Sequence, residues 1–143
     1  MTQRIEKTIL IQAPPAAVWD ALTNPHLMRQ WMGEPEMEIE IITDWKMGNP
    51  IVIRGFHHIQ FENKGTILQY APERVLKYDY VSSISRLPDT PENRTRIAFS
   101  LTPLTNQTSL MLTLSNFPTA SIFKHVDFYW NTTLEILKKL IER

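Results

Sequence analysis

The sequence of 143 residues contains no cysteine. That absence excludes disulfide scaffolds, thiolate zinc sites, iron–sulfur clusters and cysteine nucleophiles, and it suits a reducing cytoplasm. Fifteen lysine and arginine residues balance fifteen aspartate and glutamate residues, so the formal net charge is zero. Proteins that bind nucleic acid or an anionic membrane surface usually carry a basic excess, so we expect neither partner.

Glycine and long apolar runs are also scarce. The four glycines, at positions 33, 48, 55 and 65, form neither a glycine-rich phosphate loop nor a dinucleotide-binding fingerprint. No stretch approaches the roughly eighteen continuous apolar residues of a membrane-spanning helix. The first segment mixes charged with apolar residues, unlike a signal peptide. We therefore expect a soluble, cytoplasmic protein without a membrane span.

The length favours one domain over residues 1–143, large enough to bury a core without metal or disulfide support. Apolar residues alternate along Arg4–Gln12, which predicts a strand that Pro14 and Pro15 end. A short helix follows them, and Asn24-Pro25 is typical of the start of a second short helix.

In the next part of the chain apolar residues alternate with polar ones, and this alternation predicts the strands of a sheet. The strand-like runs are residues 36–41, Ile51–Phe56, Phe61–Tyr70, Val75–Ser82, Arg94–Thr102 and Ser109–Asn116. Short connections between them predict an antiparallel meander, with Ser83–Asn93 as the longest loop.

Residues 119–142 form the clearest element, an amphipathic helix with one broad apolar face. Phe128 projects among its polar residues. Two interpretations stay open for that ring: it packs under a loop, or it contacts a partner chain, as in a homodimer.

These elements predict an α+β fold. A curved antiparallel sheet of about six to seven strands wraps around the long C-terminal helix, with two short helices after the first strand. Such a sheet touches the helix along a line and leaves a natural pocket between the two layers.

Five motifs, in order, resemble a known family. They are Asn24–Met32, Asp44–Gly48, Gly65–Tyr78, Ile97–Pro103 with Leu112–Asn116, and Trp130–Leu137. Together they resemble the START-like (SRPBCC, birch-pollen-allergen type) superfamily, and most closely the domain homologous to activators of the heat-shock chaperone ATPase. The resemblance implies a helix-grip fold with a cavity between the sheet and the long helix.

The resemblance leaves the activity open, since this superfamily includes lipid carriers, polyketide cyclases, hydrolases and chaperone activators. The chain departs from the family at Asn116, where many members have histidine. Chaperone activators carry an additional N-terminal domain that binds the chaperone, and 143 residues leave no space for it.

No catalytic set, cofactor motif or metal site is recognisable in the sequence. His57 and His58 are adjacent and would point to opposite faces of a strand, so we expect no shared metal ion. No carboxylate has a partner that would raise its pKa for general acid catalysis.

Large aromatic residues are the remaining candidates for a binding site. Either they fill the core, or they line a cavity for an amphipathic ligand. The candidate ligand-binding residues are Trp31, Trp45, Tyr78, Tyr80, Phe99 and Trp130.

Three functions follow from this pattern. The first is a binding domain for a small apolar or amphipathic molecule. The second is a cyclase or hydrolase that uses Tyr78, Tyr80 or Asn116 in the same cavity. The third is a domain that modulates a chaperone or another protein through an apolar patch around Phe128 or the short helices.

Overall fold

The computed structural model describes residues 3–143, and within them the chain forms seven strands and three α-helices. The strands are β1 (Arg4–Ile11), β2 (Glu40–Thr43), β3 (Pro50–His57), β4 (Ile59–Ala71), β5 (Val75–Ser82), β6 (Thr95–Leu104) and β7 (Gln107–Ser115). The helices are α1 (Pro15–Thr23), α2 (Pro25–Met32) and α3 (Ala120–Ile141). Short 3₁₀ turns lie at Pro35–Met37, Ser83–Ser85 and Pro91–Asn93.

The strands form one antiparallel sheet in the order β1-β7-β6-β5-β4-β3-β2. Strands β2 to β7 make the predicted meander, and β1 extends the sheet by pairing with β7. The sheet curves around α3, whose buried residues recur every three or four positions and face the inner side. The predicted α+β helix-grip fold is confirmed.

Local sequence signals account for both ends of the short helices. Pro15 begins α1, where its missing N–H costs nothing. Asn24 separates the two helices, and its side-chain oxygen accepts a hydrogen bond from the His26 N–H at 3.0 Å. Both α1 and α2 pack against α3, and α1 also contacts β6 and β7.

The strand predicted from residue 36 is shorter than expected. Pro35 starts a 3₁₀ turn and Glu38 has a left-handed backbone with φ 48°, so β2 begins only at Glu40. Ile39 and Ile41 still point inward, as the alternation predicted. Pro35 favours a turn because its φ is fixed, and this preference overrides the alternating pattern of residues 36–39.

The expectation that His57 and His58 point to opposite faces is wrong. His58 lies in the turn between β3 and β4 with φ 63°, which brings the two ring centroids to 4.6 Å. Within the described residues, no three histidine or acidic side chains group closely enough to hold a metal ion. Over the same residues, no helix is both long and apolar enough to cross a membrane.

Candidate functional site

Three of the predicted aromatic residues pack against one another between the sheet and the helices. The ring of Trp130, on α3, lies 5.9 Å from that of Trp31 and 5.8 Å from that of Phe99, measured between centroids. The Trp31 indole N–H donates to the Ala21 carbonyl oxygen at 2.7 Å, so its polar atom is already satisfied. This part of the gap is filled by the protein itself.

Trp45 belongs to a different aromatic group. It lies in the turn after β2 with a left-handed backbone, φ 59°, and its ring stacks on Tyr70 at 5.8 Å. Tyr70 in turn meets the edge of Trp19 at 5.3 Å. Trp45 is therefore separate from the group of rings formed by Trp31, Phe99 and Trp130.

Three buried or half-buried tyrosines belong to β5 and α3. Tyr78 and Tyr80 are two residues apart on β5 and point to the same inner face. Across the gap, the Tyr129 hydroxyl donates to the Met32 carbonyl oxygen at 2.7 Å. Burial raises the pKa of all three phenols, that of Tyr129 to about 12. Burial is the largest cause of the raised pKa of Tyr78, and the neighbouring phenols of Tyr80 and Tyr129 raise it further.

The hydroxyls of Tyr78 and Tyr80 take no part in hydrogen bonds to other described residues. Neither has a hydrogen-bond partner among residues 3–143, although Tyr78 is only 5% exposed. Yet no fully buried side-chain nitrogen or oxygen of the described chain lacks a partner. Both hydroxyls are therefore at least slightly accessible to water.

The charged groups of this region lie on the outer face of the sheet. Asp79, between the two tyrosines, accepts from the Thr66 backbone N–H at 2.8 Å and from Arg94 Nη1 at 3.1 Å. Arg94 also binds both carboxylate oxygens of Asp89, at 2.7 and 3.1 Å, and holds the pKa of Asp89 below its usual range. This network anchors the loop predicted at residues 83–93 to the sheet.

The side chain of Asn116 forms hydrogen bonds with the same loop. Its side-chain nitrogen donates to the carbonyl oxygens of Arg94, at 2.6 Å, and of Pro91, at 3.2 Å. Its backbone is left-handed, with φ 64°. An amide held in this way has a structural role, so the enzyme hypothesis loses one of its three polar groups.

Open grooves lie on the surface, and two of them, described next, are lined by none of the six predicted ligand-binding residues. The larger, of about 900 Å³, runs between α2, residues 34–40 and the last turns of α3. The smaller, of about 430 Å³, lies beside β3 and the start of β4. Both are lined in part by charged side chains.

Tyr129 was missing from the predicted site. The helical period places it on the apolar face of α3 beside Trp130, but that face holds ten residues of similar character. Only the structure shows that its hydroxyl donates to the Met32 carbonyl oxygen at the end of α2.

A curved antiparallel sheet that grips one long C-terminal helix, with aromatic side chains between them, defines a START-like domain. The chain belongs to the family described as activator of Hsp90 ATPase homolog 1-like protein, which residues 12–142 match. The family resemblance seen in the sequence is thereby confirmed. No protein with a curated description matches the chain.

Solved structures agree with this assignment. ChR145 from Cytophaga hutchinsonii is 35% identical over 99% of this chain and 95% of its own, with a TM-score of 0.81. The Aha1 dimer from Colwellia psychrerythraea is 22% identical over 98% and 96%, with a TM-score of 0.77. DynU16, from the dynemicin biosynthetic locus, is 18% identical over 97% and 47%, with a TM-score of 0.74. The last two likenesses show the fold alone.

Proposed function

We propose that this chain is a single START-like domain that holds a small amphipathic molecule between the sheet and α3. One observation carries the proposal: Tyr78 and Tyr80 lie on the buried face of β5, and neither hydroxyl has a hydrogen-bond partner among residues 3–143. The polar end of the ligand meets these hydroxyls. Its apolar body lies against Phe99 and Trp130, while Trp31 and Trp45 support the surrounding walls.

The family context supports a small-molecule role. DynU16, which shares the fold, comes from a biosynthetic locus. A gap lined by rings with polar tips suits a ligand that is apolar along most of its length. A cytoplasmic location, which the absence of cysteine favours, is part of the proposal.

Binding of N-phenyl-1-naphthylamine, an uncharged dye whose fluorescence rises in apolar surroundings, tests this function. We expect saturable binding with one dye per chain, because the proposal places the ligand in one site between the sheet and α3. Native mass spectrometry of freshly purified protein is expected to detect a retained small molecule. The control is Phe128→Ala, which removes an exposed ring outside the cavity. Dye fluorescence that never saturates, or that this control abolishes, would contradict the proposal.

A second proposal concerns the outer side of α3, where we infer that a second copy of this chain docks. Phe128 is 74% exposed, so the interpretation that it packs under a loop is wrong. Ile136 lies on the same helix two turns later and is 41% exposed. The related Colwellia protein is a dimer in its solution structure, which supports a second copy as the occupant.

Sedimentation velocity over a hundredfold range of concentration tests the docking proposal. We expect the wild type to dimerise and Phe128→Glu to remain monomeric, because a buried unpaired carboxylate is costly. The control Ile84→Glu introduces the same charge at an exposed residue outside α3 and is expected to leave the dimer intact. A wild type that is monomeric throughout contradicts the proposal. If that monomer also stimulates a purified heat-shock chaperone ATPase, the surface serves the chaperone instead.

A further inference from the structure

The surface groove of about 900 Å³ is formed by one face of each of two helices. Along α2 its residues begin at His26 and recur with helical spacing to Gly33, just past the helix end. Along α3 they begin at Ile136 and recur in the same way to Arg143. Residues 34–40 supply the third side. The volume is within the range usual for small-molecule sites.

Two guanidinium groups are held beside the same turn of α2. Arg29 Nη2 lies 3.2 Å from His26 Nδ1, and Arg143 Nη2 donates to the Gln30 side-chain oxygen at 3.3 Å. His26 and Gln30 are themselves joined, since the Gln30 side-chain nitrogen donates to the His26 carbonyl oxygen at 3.3 Å. Residues four apart on a helix are neighbours, so these contacts bring a residue from each helix to one side of the groove.

The basic side chains of the groove are not neutralised by the described chain. Between residues 3 and 143, no carboxylate oxygen lies within 4.0 Å of a side-chain nitrogen of Arg29, Lys139 or Arg143. The two arginines are instead held by the uncharged groups of His26 and Gln30. Their remaining N–H donors are therefore available to an anion.

The acidic side chains of the groove all lie on its third side. They belong to Glu34, Glu38 and Glu40, and Glu40 pairs with Arg54 at 2.7 Å. Positive charge is therefore concentrated along the two helices, although the chain as a whole has no net charge. This division argues against a flat anionic membrane as the occupant, because the glutamates would repel it. A small molecule can place a single anionic group beside the helices.

Apolar side chains complete the lining of the groove. Ile39 is buried, Leu140 is half-buried and Ile136 is 41% exposed. An apolar body lying over them would remove apolar surface from water, which contributes binding energy in proportion to the area covered. Ion pairs between exposed groups contribute little by themselves, so the groove suits a molecule that uses both kinds of contact.

We propose that this groove binds a small amphipathic anion, an apolar ring or chain that carries one carboxylate or phosphate group. Arg29 and Arg143 bind the oxygens of that group, because the planar guanidinium matches the geometry of both anions. The apolar body lies against Ile39 and Leu140. This site is distinct from the proposed site between the sheet and α3, because none of the aromatic residues assigned to that site lines the groove.

Two dyes with one ring system test the proposal. In 8-anilinonaphthalene-1-sulfonate the sulfonate oxygens stand in for those of a carboxylate or phosphate group, and N-phenyl-1-naphthylamine is the same molecule without the sulfonate. Binding is followed by fluorescence at a protein concentration too low for self-association. We expect the double variant Arg29→Gln/Arg143→Gln to weaken the sulfonate dye about tenfold and to leave the neutral dye unchanged.

Arg74→Gln is the matched control, since it removes the same charge from an exposed residue outside the groove. We expect this control to leave the affinity of both dyes unchanged, and melting curves to show that the variants are folded. Equal affinity of the sulfonate dye for the double variant and the wild type overturns the proposal, as does an equal loss of both dyes. If the neutral dye fails to bind the wild type, the site between the sheet and α3 is overturned and the groove stands.

Displacement of the sulfonate dye identifies the anionic group and tests the need for an apolar body. The competitors are 2-naphthoate, 2-naphthyl phosphate, naphthalene and inorganic phosphate. We expect at least one of the two naphthyl anions to displace the dye at a concentration about tenfold or more below that of naphthalene or inorganic phosphate. The tighter of the two identifies the preferred head group. If naphthalene or inorganic phosphate competes as well as both naphthyl anions, the proposal of an amphipathic anion is overturned.

Discussion

Gly65→Ala is expected to destabilise the protein by about 3 kcal/mol or more, because there is no room for a side chain at this position. A Cβ atom at Gly65 would overlap the backbone carbonyl oxygen of Asp79 and come within 2.8 Å of its Oδ1. Neither group can move freely. The carboxylate is held by the Thr66 N–H and by Arg94, and the carbonyl belongs to β5 between Tyr78 and Tyr80.

Chemical denaturation followed by circular dichroism measures this effect. Gly48→Ala is the matched control: Gly48 has φ 85° but open space around it, so a methyl group there costs only about 1 kcal/mol of backbone strain. We expect Gly65→Ala to be clearly the less stable variant, with weakened dye binding because β5 is displaced. If Gly48→Ala proves as destabilising as Gly65→Ala, the close approach of β4 and β5 is wrong.

Trp130→Ala is expected to reduce the free energy of unfolding by about 3–5 kcal/mol. Trp130 is 6% exposed, and its ring contacts those of Trp31, Phe99 and Tyr129 at centroid distances of 5.2 to 5.9 Å. It joins α3 to both the sheet and α2. Removing the ring leaves a cavity that these large neighbours are too constrained to close.

Phe128→Ala provides the comparison on the same helix. Its ring is exposed, so its removal is expected to change the stability of the monomer by about 0.5 kcal/mol or less. Both variants are measured at a protein concentration low enough to suppress self-association. A loss below about 1 kcal/mol for Trp130→Ala would mean that α3 is not packed through this ring.

Much of the fold could be predicted from the spacing of the apolar residues and from the prolines and turn residues between the elements. The predicted helix at 119–142 is observed at Ala120–Ile141, and the predicted strand Val75–Ser82 has the same bounds in the structure. In both segments the spacing of the buried residues and the secondary-structure propensity of the residues favour the same element. The sequence therefore predicts that element unambiguously. Prediction was poorest near Pro35, where a turn-forming residue interrupts an alternating pattern.

The site was less predictable than the fold, because the packing of the helices on the sheet decides which side chains come close together. Trp45 has the large ring and polar tip expected of a cavity residue, but the turn after β2 stacks that ring on Tyr70. Asn116 was a candidate catalytic group, but it bonds the loop carbonyls of Pro91 and Arg94. Tyr129 was overlooked because its hydrogen bond goes to Met32, which lies 97 positions earlier in the chain.

NMR spectroscopy of tyrosine-labelled protein, titrated with 2-naphthol, tests the central claim most directly. We predict that the ring resonances of Tyr78, Tyr80 and Tyr129 shift together and saturate, with nuclear Overhauser contacts to the ligand, while that of Tyr70 stays in place. Ligand contacts confined to the groove between α2 and the end of α3, or to the ring of Phe128, would contradict the claim that the gap beneath α3 is the binding site.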